Sequence, residues 1–295
     1  MRALRLLAPL PALLLAAPLA ATEPVSTPVT FKTADGFTLH GTLTVPATGP
    51  RRHPVVILAH QFHSDRAAWA PLAERLNARG IATLALDLRG HGESTDKAGA
   101  AVAVTDDFAA SAKAVGFDQI PADLALVAAW ARKQKALDPR RVALAGSSLG
   151  GFSVLAAAGK VKPLAILALS PAGSEAFGDH ALESAGSSLG KSGAATLVFV
   201  AQDDADAAKV ATAVKAVPGV SELVFPGQDH GYAFFKDHVE TMAVFFGEYL
   251  LHAQALHRGG PAPADASKSQ VVTPATLAAS PAAQGQAPPP PPPGN

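Results

Sequence analysis

A serine within a glycine-flanked turn is the feature of this sequence that most directly suggests chemistry. Residues 146–150 read Gly-Ser-Ser-Leu-Gly, and they follow the run Arg-Val-Ala-Leu-Ala and precede a helix-like stretch. In a strand–turn–helix context, the pattern G-x-S-x-G places the middle serine in a sharp turn with its hydroxyl projecting from the sheet edge. We therefore predict that Ser148 is a nucleophile, and that Ser147, in the variable position, has a structural role.

A serine hydroxyl is a weak nucleophile, so the chain must also supply a base that accepts its proton. His230 lies in the turn that follows the last apolar run and precedes a C-terminal helical stretch. Imidazole side chains titrate near neutral pH, which suits general base catalysis. We predict His230 as this base because of its place in the chain, after the serine and after a strand.

The base in turn needs a carboxylate that orients it. Residues 201–206 read Ala-Gln-Asp-Asp-Ala-Asp after another apolar run, so Asp203, Asp204 and Asp206 are all possible. Asp204 is the predicted acid, since it stands where the acid stands in the usual Gly-x-x-Asp turn. Asp203 is predicted to cap the following helix, as aspartate often does.

The tetrahedral intermediate of acyl transfer needs two backbone N–H donors. One is predicted to be the N–H of Leu149, at the start of a helix whose dipole favours an anion. The second is predicted to come from the loop His-Gln-Phe-His at residues 60–63, with Phe62 as the first choice and Gln61 as the alternative.

The elements that must position these groups follow an alternating order. Residues 29–33 and 37–45 alternate apolar and polar around an Asp-Gly turn, which predicts a hairpin. Continuous apolar runs follow at 55–59, 82–86, 142–145, 164–169, 197–200 and 223–225. Amphipathic stretches separate them at 66–79, 121–137, 149–160, 205–217 and 234–257. This order predicts an α/β protein with a mostly parallel sheet, helices on both faces and ligands at the carboxyl ends of the strands.

A glycine-rich segment at residues 87–94, Asp-Leu-Arg-Gly-His-Gly-Glu-Ser, follows one of these strands. Its glycines allow a tight loop beside the site. Arg89 and His91 are predicted to hold neighbouring loops rather than substrate.

Together these motifs resemble the α/β-hydrolase superfamily, over roughly residues 28–255. The hairpin start and the Pro-Gly-x-x-His-Gly ending at 226–231 are similar to dienelactone-hydrolase-like and related small esterase branches. The resemblance implies an eight-stranded sheet, an acyl-enzyme on the serine, and no cofactor or metal. Two positions depart from the family pattern, because Gln61 and Ala201 stand where glycine is common.

The segments between the predicted strands indicate a small cap and a fairly open site. Residues 170–195 are rich in Gly, Ser and Ala, and the insert 95–120 is expected to contribute a helix near 106–115. Side chains predicted to contact substrate are Gln61, Phe177 and Tyr232, with Phe234 as either a lining or a core aromatic.

Composition divides the chain into three parts. Basic residues, an apolar run at 6–19 and two alanines at 20–21 predict a signal peptide at 1–21, and hence export to the periplasm or the medium. The hydrolase domain is predicted at 22–256. The Pro- and Ala-rich stretch 257–295 is predicted to be disordered. Zero net charge gives no indication of nucleic-acid binding, and no stable membrane span is expected.

The sequence therefore predicts an exported serine hydrolase that acts on small-molecule carboxylic esters. Two alternatives remain open at this point. One is an amidase or peptidase with the same three residues, and the other is a non-catalytic module of the same fold that binds a partner.

Overall fold

Ten strands form one mixed sheet in the structure, a computed structural model that describes residues 23–252. The sheet order is β10-β9-β8-β7-β3-β4-β2, with β1 paired to β2 and with β5 and β6 continuing from the start of β2. The strands are β1 (Val25–Lys32), β2 (Phe37–Val45), β3 (His53–Ala59), β4 (Ala82–Leu86), β5 (Asp96–Lys97), β6 (Ala100–Ala101), β7 (Leu137–Ser147), β8 (Ala165–Leu169), β9 (Ala195–Ala201) and β10 (Val220–Phe225).

Six neighbouring strands of the sheet run parallel to one another, as their continuous apolar runs predict. They are β10, β9, β8, β7, β3 and β4. The family resemblance implied eight strands, whereas the described residues form ten. The additional strands, β5 and β6, are two residues each and have no strand-like pattern of their own. They exist because Asp96 and Lys97 pair with the first residues of β2, which a local sequence pattern does not show.

Helices connect the parallel strands. They are α1 (Ala70–Ala78), α2 (Phe108–Ser111), α3 (Ile120–Ala131), α4 (Leu149–Val161), α5 (Ala181–Ser192), α6 (Ala205–Val214) and α7 (Phe235–Leu251). The helix predicted over 121–137 ends at Ala131, because the chain tightens there into turns that close on Trp130 and Ala131.

Two apolar layers flank the sheet, and alternate side chains of each strand enter opposite layers. In β3, Val55 and Ile57 pack beneath α3 and α4, whereas Val56 and Leu58 pack beneath α1 and α7. The helices thus cover both faces, as predicted.

Helix α5 occupies 12 residues of the segment 170–195 that the sequence assigned to a cap. It packs against α4, where the hydroxyl of Ser188 accepts from the N–H of Gly159 at 2.8 Å and donates to the carbonyl of Ala156 at 2.7 Å. The cap that remains above the strand ends is small. It consists of the turn Ser174–Phe177 and the insert that contains β5, β6 and α2.

No helix between residues 23 and 252 is long and apolar enough to cross a bilayer. The predicted signal peptide, 1–21, and the predicted tail, 257–295, lie outside the described residues.

Candidate active site

The turn between β7 and α4 has the sharp geometry that the G-x-S-x-G pattern predicts. Ser148 has φ 51° and ψ −114°, a conformation that a residue with a side chain rarely adopts. A Cβ on Gly146 would lie 2.1 Å from the carbonyl oxygen of Gly150, and a Cβ on Gly150 would lie 2.2 Å from the carbonyl oxygen of Ala59. Both glycines are therefore required for the turn to close against β3.

Asp204 and His230 lie together at the same edge of the sheet. The carboxylate Oδ2 of Asp204 and Nδ1 of His230 are 2.7 Å apart. The Asp204 side chain is only 9% exposed, while the His230 side chain is 40% exposed. The bond to Nδ1 directs the other ring nitrogen, Nε2, away from the carboxylate and leaves it to exchange a proton.

The three aspartates of this segment differ in what they contact. Asp204 bonds His230, whereas Asp203 and Asp206 are exposed. The cap of α6 is also Asp204, whose Oδ1 accepts from the N–H of Ala207 at 3.3 Å. The prediction that Asp203 caps this helix is therefore wrong, because α6 begins one residue later than that assignment requires.

The loop that contains His230 is anchored beside the serine turn through the next residue. The N–H of Gly231 donates to Oγ of Ser170 at 3.0 Å, and a Cβ on Gly231 would lie 2.5 Å from Oγ of Ser147. Within residues 23–252, no hydrogen bond joins Oγ of Ser148 to the ring of His230. Such bonds often tighten only when substrate is bound.

The two backbone N–H groups predicted to bind an oxyanion, those of Leu149 and Phe62, have no partner in the elements that contain them. Leu149 is the first residue of α4, so its N–H has no partner within the helix. The N–H of Phe62 donates to no acceptor in the described part of the chain. The loop after β3 lies directly against the turn, because Gly150 has no Cβ to meet the carbonyl of His60.

His60 fixes the start of this loop. It is fully buried, its Nε2 accepts from the N–H of Leu88 at 2.9 Å, and its Nδ1 donates to the carbonyl of Gln61 at 2.7 Å. Burial, with a smaller contribution from nearby His91, lowers the pKa of His60 to about 3. His60 is therefore neutral, and it ties the loop after β3 to the loop after β4.

The segment 87–94 holds neighbouring loops in place. Arg89 is 1% exposed and donates to Asp123 at 2.6 and 2.8 Å and to Asp35 at 2.9 and 3.1 Å. The buried ring of His91 donates through Nδ1 to the carbonyl of Arg89 at 3.0 Å and packs 5.7 Å from the ring of Phe62. Neither side chain is placed to contact substrate, in line with the supporting role predicted for them.

The side chains predicted to contact substrate have different environments. The ring of Tyr232 packs against Trp69 and Phe235. Burial raises the pKa of its hydroxyl, while the side chain as a whole is half-buried beside the core layer that contains Trp69. Phe177 lies half-buried against Phe152, with ring centroids 4.7 Å apart.

Gln61 and Phe234 make contacts within the protein. Oε1 of Gln61 accepts from the hydroxyl of Ser147 at 3.0 Å. Phe234 is 2% exposed and belongs to the core, where its ring lies 5.1 Å from that of Phe225.

Phe108 is a lining candidate that the sequence did not single out. It lies in α2, and its ring centroid is 5.2 Å from that of Phe62. Its Cζ atom packs so close to Gly173 that a Cβ added to that glycine would lie 2.9 Å away. It also borders a cleft of about 420 Å³ formed with Ala112, Lys113, Asp118 and Glu175. Its one sequence signal is that it is the only aromatic residue of the predicted insert helix.

Among residues 23–252, no cluster of three or more His, Asp or Glu side chains is arranged to hold a metal ion.

The sequence of this chain matches a known family. The sequence model of the family described as "Serine aminopeptidase, S33" matches residues 50–205. An "Uncharacterized 31.7 kDa protein in traX-finO intergenic region" of Escherichia coli is 34% identical over 128 residues, which are 43% of this chain and 39% of that protein. The chain thus spans about two fifths of the length of the curated relatives it matches.

Solved structures share the fold. An acetyl xylan esterase from Paenibacillus sp. R4 superposes with a TM-score of 0.62 at 21% identity, over 80% of this chain and 87% of that one. Dienelactone hydrolase from Anabaena variabilis gives 0.56 at 20% identity, over 78% and 99%. Est1E from Butyrivibrio proteoclasticus, solved with ferulic acid, gives 0.55 at 21% identity, over 76% and 98%. These likenesses confirm the predicted α/β-hydrolase fold.

Proposed function

Since the chain belongs to the serine aminopeptidase S33 family of α/β-hydrolases, we propose that it is a serine hydrolase that cleaves carboxylic esters of small molecules. Ser148 is the nucleophile, His230 the base and Asp204 the residue that orients the base. The observation that carries the proposal is the 2.7 Å bond between Asp204 and His230 at the same sheet edge as the strained turn at Ser148.

The reaction follows from these positions. Oγ of Ser148 attacks the ester carbonyl carbon while Nε2 of His230 accepts its proton, and the carbonyl oxygen becomes an oxyanion. The N–H groups of Leu149 and Phe62 donate to that oxyanion. The carboxylate of Asp204 holds the ring through Nδ1 and stabilises the imidazolium.

Collapse of the intermediate completes acylation. The carbon–oxygen bond to the alcohol breaks, His230 gives its proton to the leaving oxygen, and an acyl-enzyme remains on Ser148. Water then attacks the acyl carbon as His230 accepts a water proton. The acid is released and Ser148 regains its hydrogen.

Ester substrates are favoured by two observations. Acetyl xylan esterase and dienelactone hydrolase share the fold, and the small cap leaves the strand ends accessible to small molecules. Amide or peptide cleavage is the second candidate, because the matching family is described as a serine aminopeptidase.

Fluorophosphonate labelling tests the nucleophile. We expect one adduct, mapped to Ser148 by peptide sequencing, and none in Ser148→Ala. Ser187→Ala is the matched control, because Ser187 is exposed on α5 and its loss should leave labelling unchanged. A folded protein that forms no adduct would instead support a non-catalytic module that binds a partner.

A substrate panel then separates the two enzymatic candidates. Nitrophenyl esters of graded chain length are compared with aminoacyl nitroanilides, using wild type and Ser148→Ala. We expect turnover of the short esters and a loss of several powers of ten in the variant. Faster turnover of the anilides than of the esters would reject the ester proposal in favour of the peptidase.

Export is also proposed, on the basic, apolar and small residues of positions 1–21. Terminal sequencing of the protein from separated cell fractions tests this. A mature chain that begins at residue 22, outside the cytoplasm, is expected, and an intact residue 1 on a cytoplasmic protein would contradict export.

A further inference from the structure

Four residues from four separate segments meet beneath the proposed catalytic groups. Gln61 follows β3, Ser147 ends β7, Ser170 follows β8, and Gly231 lies in the loop between β10 and α7. Ser147 and Ser170 are fully buried, and Gly231 is buried with them. We call this set the glutamine latch.

Direct contacts connect the members of the latch. The hydroxyl of Ser147 donates to Oε1 of Gln61 at 3.0 Å, and the hydroxyl of Ser170 accepts from the N–H of Gly231 at 3.0 Å. A Cβ on Gly231 would lie 2.3 Å from Oε1 of Gln61 and 2.5 Å from Oγ of Ser147. The Gln61–Ser147 bond therefore fills the space that the missing side chain of Gly231 leaves.

Three members of the latch are the immediate chain neighbours of the proposed catalytic groups. Gln61 precedes Phe62, the second oxyanion donor; Ser147 precedes the nucleophile; and Gly231 follows the base. Any displacement of the latch is transmitted through one peptide bond to a group that acts on substrate. Displacements of this size matter, because a misplacement of about 1 Å can cost about 100-fold in rate.

We infer that Gln61 is a positioning residue, whose side-chain bond to Ser147 sets the oxyanion donor, the nucleophile and the base at their working distances. The inference rests on the proposed function. It also accounts for a glutamine at a position where glycine is usual in this superfamily, because a glycine there would leave the buried hydroxyl of Ser147 without an acceptor.

A double-mutant cycle on the pair tests the inference. Gln61→Met keeps the length of the side chain and removes the acceptor, and Ser147→Ala removes the donor. Each single variant should lower kcat for nitrophenyl acetate about 10- to 100-fold with KM changed less than about 3-fold, since the misplaced groups act in the transition state. The double variant should be no slower than the slower single variant, because it leaves no unpaired buried group.

Gln61→Glu provides the rescue. Its carboxylate accepts from Ser147 and should recover kcat to within about 10-fold of wild type near neutral pH, while its charge near the base moves the acid limb of the rate profile to higher pH. The recovery of kcat in Gln61→Glu but not in Gln61→Met, at equal urea midpoints, is the readout that a bond with only a structural role would not give. Urea midpoints of all variants, measured alongside, show that the rates refer to folded protein.

The outcomes separate the inference from the proposed function. An inactive wild type that forms no fluorophosphonate adduct would overturn both. An active wild type with unchanged kcat in folded Gln61→Met, or with independent, multiplicative losses in the double variant, would overturn the latch alone.

Discussion

Asp204 makes two bonds with one carboxylate. Oδ2 holds the ring of His230, while Oδ1 accepts from the first turn of α6. The helix cap fixes the carboxyl group, so its second oxygen points at the histidine with little rotational freedom. This single side chain couples the start of a helix to the orientation of the proposed base.

We predict that Asp204→Asn lowers kcat for nitrophenyl acetate by about 10³- to 10⁴-fold, because the amide no longer selects the ring tautomer that presents Nε2 as acceptor. Steady-state kinetics provide the measurement. Asp203→Asn and Asp206→Asn are matched controls, since both side chains are exposed. A comparable loss in either control, with Asp204→Asn unaffected, would move the acid to another position.

His60 makes folding depend on pH. Its folded-state pKa is about 3, against an ordinary value of 6.5, because burial disfavours the charged ring. The unfolded chain therefore binds a proton that the folded chain does not, below about pH 6.5. The stability that comes from keeping His60 neutral is fully present above pH 6.5. It is lost progressively as the pH falls towards 3.

As the pH is lowered from 6.5 towards 3, we expect His60 alone to reduce the free energy of unfolding of wild type by about 1.4 kcal/mol per pH unit. His60→Gln retains an acceptor for the N–H of Leu88 and cannot titrate. Urea unfolding at pH 4, 5, 6 and 7 should show the variant less stable than wild type at pH 7 and the difference shrinking towards pH 4. Parallel curves for the two proteins would contradict this account.

At the scale of elements, the insert after β4 is the part that we expect to shape the proposed site. Helix α2 is only four residues long, but its Phe108 packs against the ring of Phe62 and against Gly173. Gly173 lies just beyond Ala172, whose N–H donates to the carbonyl of Ser148 at 3.1 Å. Phe108 thus lies between the loop after β3 and the loop after β8.

Phe108→Ala should widen the acyl side of the site. We predict that the ratio of kcat/KM for nitrophenyl hexanoate to that for the acetate rises about 10-fold, within the range that added methylenes contribute in an apolar pocket. The same ester series gives the ratio. Phe245→Ala is the control, because Phe245 is similarly half-buried on α7 at the opposite layer. An unchanged ratio would remove Phe108 from the substrate site.

At the scale of the whole molecule, every proposed catalytic group lies at one edge of the parallel sheet. The carboxyl ends of β3, β7, β9 and β10 carry Phe62, Ser148, Asp204 and His230 in turn. Two apolar layers hold the strands in register, so the site depends on the complete sheet and not on any local segment.

The stretch 257–295 should be dispensable for this chemistry. Its Gly, Pro, Ala and Ser composition cannot bury enough apolar surface to offset the entropy of ordering it. A chain that ends at residue 256 is therefore expected to hydrolyse small esters with a kcat within about 2-fold of the full chain and to unfold at the same urea midpoint. A large loss of either quantity would show that the tail supports the domain.

The order of the motifs was enough to predict the fold and to predict that the candidate residues lie at one edge of the sheet. Apolar runs that are continuous rather than alternating predict parallel strands, and the carboxyl ends of parallel strands share one edge. Ser148, Asp204 and His230 each follow such a run. Their convergence therefore follows from local patterns repeated in a fixed order.

Only the tertiary structure decided what each side chain touches. Of the three neighbouring aspartates, Asp204 is the one that bonds His230; the hydroxyl of Ser147 donates to Gln61, and the ring of Tyr232 packs against Trp69. The structure also showed that α5 packs on α4 and that β5 pairs with β2. These contacts join residues that are far apart in the chain. Periodicity and spacing describe only the local backbone. For that reason, sequence patterns do not indicate which distant side chain fills a given space.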